Sequence, residues 1–311
     1  MKEFLSRCAI VALLLGIAPV AVAADDLPTI HIGTTPIDAG AEPYYAQAEG
    51  FFKAAGINVD IQAMANGAVL SAAVASGALD IGQSNVVSLS TAHERGIPFT
   101  IVAPASLYTS KQPQSALVVA ANSPLHVAKD LNGKTIAVNG LQTISQLGPD
   151  AWIDKNGGNL ASVKFIELPF SAMEDALTSG RIDAALISEP NLTAARDHGL
   201  RVLNNVYDSI GPDFLIGAWF TTSAWAKSHP DLVRKYVAVM AQTAKWANTH
   251  HADSAKILEA ETKTPVTPTT MRVIFGETID PVQIQNLIDA CAKYGVLKAR
   301  FPAADIIATA K

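Results

Sequence analysis

The stretch VASGALDI at residues 74–81 returns as LTSGRIDA at residues 177–184. In both copies an apolar run stops at Ser-Gly, and an aspartate three positions beyond the glycine opens a second apolar run. A glycine in that place is the left-handed residue that closes a helix, so each copy predicts a helix, a tight turn and a strand. Such a segment is common on its own. Here it is accompanied by two others: TIHI at 29–32 is matched by TIAV at 135–138, and VDI at 59–61 by VKFI at 163–166. Three matches in one order, at nearly one separation, predict two α/β units of the same build. The spacing is far too long for a solenoid.

Outward from the first copy, strands are predicted over 29–35, 58–64, 79–84 and 99–103. Helices are predicted over 42–55, 68–76 and 86–95, closed by Gly56, Gly77 and Gly96. Strands alternating with helices of this length indicate parallel β-α-β units, each folding into a doubly wound lobe. The polar stretch 106–115, with Pro113, leads to an apolar run at 116–120, and the segment 214–222 offers a way back. The expected organisation is therefore discontinuous. Lobe one takes 24–111 and 222–311, lobe two takes 120–213, and 112–119 with 214–221 form a two-segment hinge. Helices are predicted over 231–249, 252–261, 269–275 and 281–294, to pack on lobe one.

The N-terminus reads as an address. Lys2 and Arg7 precede an uncharged apolar run at 9–22, and Ala21-Val22-Ala23 supplies small residues for cleavage. This is the layout of a secretory signal over 1–23, too short for the ~20 residues of a membrane-spanning helix. Export to an oxidising space invites disulfides, but only Cys291 follows that signal, so stability falls to a packed core, which 49% hydrophobic residues can supply. A formal charge of −5 without a basic block argues against nucleic acid. A monomer is expected.

In open parallel sheets, ligands sit at the carboxyl ends of strands, where helix N-termini present free N–H groups. This rule selects residues 34–45, 66–68 and 84–86 in lobe one, and 139–145 and 188–191 in lobe two. The candidate ligand-binding residues are Thr34, Thr35, Asp38, Tyr44, Asn66, Gly67, Ser84, Asn85, Gln142, Thr143, Ser188 and Glu189, with Tyr108 and Trp219 as aromatic walls. Each Ser, Thr or Asn also fits plain helix capping. These segments hold no Lys or Arg, whereas Asp38, Glu42 and Glu189 supply acid. An anion would have to be held by helix N-termini and neutral donors; an amine would use the carboxylates. The residues leave both open.

Catalytic patterns fail on inspection. The stretch 82–86 lacks the second glycine of a nucleophile elbow, and Gly133-Lys134-Thr135 lacks the upstream glycine of a phosphate loop. His250 and His251 are adjacent and diverge, so they cannot chelate as an i, i+4 pair does. No catalytic residue, metal site or cofactor is expected.

Several stretches resemble one family. Gly50-Phe51-Phe52 with Gly56-Ile57-Asn58-Val59, the run 75–82, the run 130–138 and the run 183–190 resemble recurrent segments of periplasmic binding proteins for nitrate, sulfonates, taurine and thiamine-type pyrimidines. The resemblance implies a type II periplasmic binding fold, a small-molecule ligand, and the permease of an ATP-driven (ABC) importer as membrane partner. Carried over, the family's cleft positions fall near Thr35, Asn66, Gly67, Ser84, Asn85, Thr143 and Glu189. The absence of arginine from the cleft loops is a departure. Related eukaryotic pyrimidine synthases carry a cysteine-rich motif that this chain lacks. The reading is an exported, non-enzymatic protein of the periplasm that closes on a solute and delivers it to an importer. The alternatives are a cofactor-dependent synthase or lyase on the same fold, and a sensor that presents its ligand to a membrane receptor.

Overall fold

The computed structural model describes residues 27–308, so the signal segment expected over 1–23 lies outside the described residues. The first run of elements is β1 (Thr29–Thr34), α1 (Glu42–Ala48), α2 (Phe51–Ala54), β2 (Asn58–Ala63), α3 (Gly67–Ser76), β3 (Ile81–Asn85), α4 (Val86–Glu94) and β4 (Phe99–Pro104). Two strands follow, β5 (Ser106–Thr109) and β6 (Ser115–Val119). The second run is β7 (Thr135–Val138), α5 (Ile144–Lys155), β8 (Lys164–Glu167), α6 (Phe170–Thr178), β9 (Ala184–Ser188), α7 (Asn191–Asp197) and β10 (Arg201–Asn204). The chain then returns through β11 (Asp213–Leu215) and β12 (Gly217–Thr222). It ends in α8 (Ser223–Ser228), α9 (Pro230–Ala247), α10 (His251–Thr262), β13 (Ile274–Phe275) and α11 (Pro281–Lys293).

The two runs build sheets of matching order, β2-β1-β3-β12-β4 and β8-β7-β9-β6-β10. In each, the first three strands are parallel, and the fourth is antiparallel and comes from a crossing segment. β6 enters the second sheet and β12 the first. The likeness extends to single bonds. Asp80 accepts the N–H of His31 through its carboxylate at 2.8 Å while its own N–H donates to the His31 carbonyl at 2.9 Å. Asp183 does the same to Thr135, at 2.9 Å in both directions. The aspartate of the repeated Ser-Gly motif thus starts the strand pairing in both halves.

Local chemistry explains most boundaries. Gly77 closes α3 at φ +77°, in the left-handed region that a glycine enters at little cost. Strand β9 is buried along all five residues, as expected of a central strand covered on both faces. α9 buries Tyr236, Val239, Met240, Thr243, Ala244 and Ala247, a 3-4 spacing that makes one stripe. α11 does likewise with Ile284, Leu287, Ile288 and Cys291. Each fully buried Leu or Ile of that stripe contributes roughly 1.5–3 kcal/mol.

Two expected helices are corrected. The helix over 42–55 is interrupted, because Gly50 takes φ +72° and separates α1 from α2. The helix over 269–275 does not form; the chain there turns and then supplies β13, which pairs with β5 beside β11. Pro268 precedes that segment and Val273-Ile274-Phe275 favours extended backbone, so pairing with an unsatisfied strand edge wins over a short helix. No helix among the described residues is long and apolar enough to cross a membrane.

Candidate functional site

The carboxyl ends of the strands in the two sheets face one another across a small cavity of about 70 Å3. From the first sheet and the crossing strands it is lined by Thr35, Gly67, Gln83, Asn85, Ser106 and Gly217. From the second side come Ser115, Asn139, Ser145, Ser188, Phe170 and Tyr207. The polar lining is made of hydroxyls and carboxamides, with no charged side chain among the described residues.

The cleft is closed. Asn66 Nδ2 donates to the Asn139 carbonyl at 3.4 Å, and Asn139 Nδ2 donates back to the Ala65 carbonyl at 3.1 Å. The N–H of Asp38 donates to the Glu189 carbonyl at 3.3 Å.

Helix starts converge here because β2, β3 and β7 run through short turns into α3, α4 and α5. Asn66 caps α3, accepting from the N–H groups of Ala68 and Val69 at 3.0 and 3.1 Å. Asn85 caps α4 through Ser88 N–H at 2.9 Å, and Thr143 caps α5 through Ser145 N–H at 3.2 Å. The N–H groups of Gly67 and Ile144, first in α3 and α5, take no partner among the described residues. Aligned peptide dipoles place partial positive charge at these ends.

Among the expected site residues, Thr35, Gly67, Asn85 and Ser188 line the cavity. Ser188 shares a hydrogen bond with Ser115 at 2.7 Å. Thr34 is turned to the Gly40 carbonyl at 2.6 Å. Ser84 is buried behind Gly67, where a Cβ would come within 2.3 Å of its Oγ. Asn66 and Thr143 are occupied as caps, and exposed Gln142 holds φ +55° with its N–H on Gln146.

The acids face away from the cavity. Asp38 is fully buried and accepts Arg272 Nε and Nη2 at 2.9 and 3.0 Å, the Tyr45 hydroxyl at 3.0 Å and the Val273 N–H at 2.9 Å. Arg272 spends its remaining N–H donors on the His251 carbonyl, Ser254 Oγ and Tyr45 Oη. The cation that neutralises Asp38 thus comes from the segment before β13, outside the loops where sequence reasoning looked. Glu189 accepts both the N–H and the hydroxyl of Thr193 at 2.9 Å, and burial raises its pKa against those bonds. Glu42 accepts Trp219 Nε1 at 2.7 Å inside the first lobe, and burial drives its pKa well up.

The expected aromatic walls are not at the cavity. Trp219 is fully buried against Glu42 and Tyr236, Tyr108 donates to Asp208 at 2.7 Å while stacked on Phe214, and Tyr44 is half-buried on α1. Phe170 and Tyr207 take that place. The Tyr207 ring sits where a Cβ on Gly148 would meet it at 2.4 Å, and its hydroxyl lies against Ser145 and Ser115. The signals available for the missed residues were faint: Gln83 is a polar residue inside a buried strand, and Ser106 and Ser115 bracket the polar crossing.

Comparison with known proteins follows the same geometry. The sequence model of a family described as NMT1/THI5 like matches residues 40–254. The alkanesulfonate-binding protein SsuA from Xanthomonas axonopodis pv. citri, solved bound to MOPS, superposes with a TM-score of 0.77 at 18% identity, covering 93% of this chain and 100% of that one. The periplasmic aliphatic sulphonate binding protein SsuA from Escherichia coli gives 0.73 at 15% identity, over 90% and 97% of the two chains. The desulfurization enzyme DSZB has the same architecture, with 0.63 at 14% identity over 90% and 96%. A search of curated protein sequences gives no match.

Proposed function

The chain belongs to the NMT1/THI5-like family and has the type II periplasmic binding protein fold, and from that premise we propose that it captures a small organic anion between its lobes. The observation that carries this reading is the neutral cavity lined from both sides, with Asp38, Glu42 and Glu189 all bonded elsewhere. A cation would find no free carboxylate there. An anion would meet the unpaired N–H groups at the starts of α3 and α5, with hydroxyls and carboxamides completing its shell.

The mechanism is a clamp. Solute binds one lobe, the other closes over it, and the closed form docks on the permease of an ABC importer in the membrane. Closure is selected because only the closed form contacts the solute from both sides. Lobes divided at 24–111 with 222–311 and at 120–213, hinged at 112–119 and 214–221, suit this motion, and a leader over 1–23 would deliver the protein to the periplasm. Capture rather than turnover is the role we assign, although an enzyme shares the fold. Cys291, the cysteine of the described part, is in the apolar core with its thiol pushed up to about 12 by burial.

The test is thermal unfolding against size-matched panels of small organic anions, amines and neutral solutes. A ligand at a hundred times its Kd should add about 2.7 kcal/mol of stability. Stabilisation by members of the anion panel is expected; a response confined to the amines would sink the anion assignment.

A further inference from the structure

One wall of the cavity carries hydrogen-bonding capacity that the fold leaves unused. Ser106 opens β5, and its hydroxyl is buried without a partner among the described residues. Gln83, in the middle of β3, is 6% exposed and brings its carboxamide to the same cavity, again with no partner among the described residues. The two side chains are neighbours. Their Oγ and Nε2 atoms lie 2.7 and 2.8 Å from the point where a Cβ on Gly217 would sit. Gly217 is held there by backbone pairing, since its carbonyl accepts Ala105 N–H at 2.9 Å and its Cα faces Asn85 across the β12–β3 ladder. A side chain at 217 would displace both polar groups; glycine leaves them room.

Buried polar groups are nearly always paired, and an unpaired one is costly. A buried hydroxyl without a partner, beside a carboxamide that also takes none among the described residues, both lining a cavity and kept clear by a glycine, points to a partner delivered from outside. A carboxamide and a hydroxyl each donate and accept, so together they match a group that does both. Building on the capture of a small anion, we infer that Gln83 and Ser106 are a specificity-determining pair that binds a neutral hydroxyl on the captured anion. The protein then prefers hydroxylated short-chain anions to their plain alkyl counterparts. A site built to hydrogen-bond a hydroxyl discriminates strongly against the analogue without it, because its own polar groups are then left unpaired. The cavity's small volume restricts the chain to a few carbons.

Calorimetric titration of the full-length protein with two matched pairs tests this: propane-1-sulfonate against 3-hydroxypropane-1-sulfonate, and propionate against 3-hydroxypropionate. The wild type should bind the hydroxylated member of at least one pair tenfold or more tightly. Ser106→Ala and Gln83→Met should bring that ratio to within threefold by weakening the hydroxylated member far more than the plain alkyl one, a selective loss that general loss of structure would not produce. Thermal melts of the ligand-free variants check folding, and Ser106→Ala, the smaller change, decides if Gln83→Met fails to fold. Clear binding with no preference in the wild type, or a preference that survives in both variants, overturns the pair's role and leaves anion capture intact. No binding of either pair overturns this inference together with the anion reading.

Discussion

At the residue scale, two buried acids behave differently because only one has enough donors. Asp38 receives four donors, two of them from a guanidinium whose own N–H groups are all engaged. Replacing one member of such a pair leaves the other charge buried and costs about 3–5 kcal/mol. We predict that loss for Arg272→Met in urea denaturation, with much of it recovered in the Asp38→Asn/Arg272→Met double variant. Glu42 has one oxygen on Trp219 and the other without a partner among the described residues. Desolvation raises its folded pKa above the unfolded value of about 4.3, so the folded state holds the proton more tightly. That contribution is fully present below the unfolded pKa and fades as pH rises through the folded one. Glu42→Gln, which keeps an acceptor for Trp219 and carries no charge, should therefore be the more stable protein at pH 8, by on the order of 1 kcal/mol or more. The gap should close toward pH 4. A wild type that gains stability over the variant with rising pH would refute this assignment. Neither partnership was legible in the sequence, because Asp38–Arg272 and Glu42–Trp219 join residues far apart in the chain.

Elements were more legible than residues, for a physical reason. Helix stops depend on local backbone conformation, and glycines at 77, 96 and 180 mark left-handed positions that a reader can see. The strand ends of both runs, and with them the loops around 34–45, 66–68, 84–86, 139–145 and 188–191, followed from that rhythm. Segments whose state depends on a distant edge were not readable: β13 exists because β5 offers it pairing, and Tyr207 reaches the cavity because Gly148 in α5 makes room. The repeated aspartate is the element-scale feature open to a direct check. Asp80 and Asp183 each hold the opening strand of their run, β1 and β7, through one backbone N–H. Asp183→Ala removes that acceptor and should lower stability by about 1–2 kcal/mol in chemical denaturation. Asp80→Ala should match it, because the two positions are structural equivalents. A large cost at one and none at the other would show that the equivalence is geometric without being energetic.

For the whole molecule, what matters is how the halves meet. The closed cleft is held in part by Asn66 and Asn139, each giving its carboxamide N–H to the backbone of the opposite lobe. Asn66 has a second duty as the cap of α3, so removing it outright would mix two effects. Serine separates them. It caps a helix about as well as asparagine, yet it is too short to reach the Asn139 carbonyl and adds no charge near the cavity. Asn66→Ser should therefore keep the thermal stability of the ligand-free protein within about 0.5 kcal/mol of wild type. Closure should suffer instead. One neutral hydrogen bond is worth about 1 kcal/mol, or roughly a fivefold shift in the open–closed balance. That shift should appear as a larger radius of gyration in solution scattering of the ligand-free protein, and as a several-fold faster release of any bound anion with little change in association rate. If release is unchanged while α3 loses amide-exchange protection, Asn66 serves its helix alone and the bond across the cleft contributes nothing to capture.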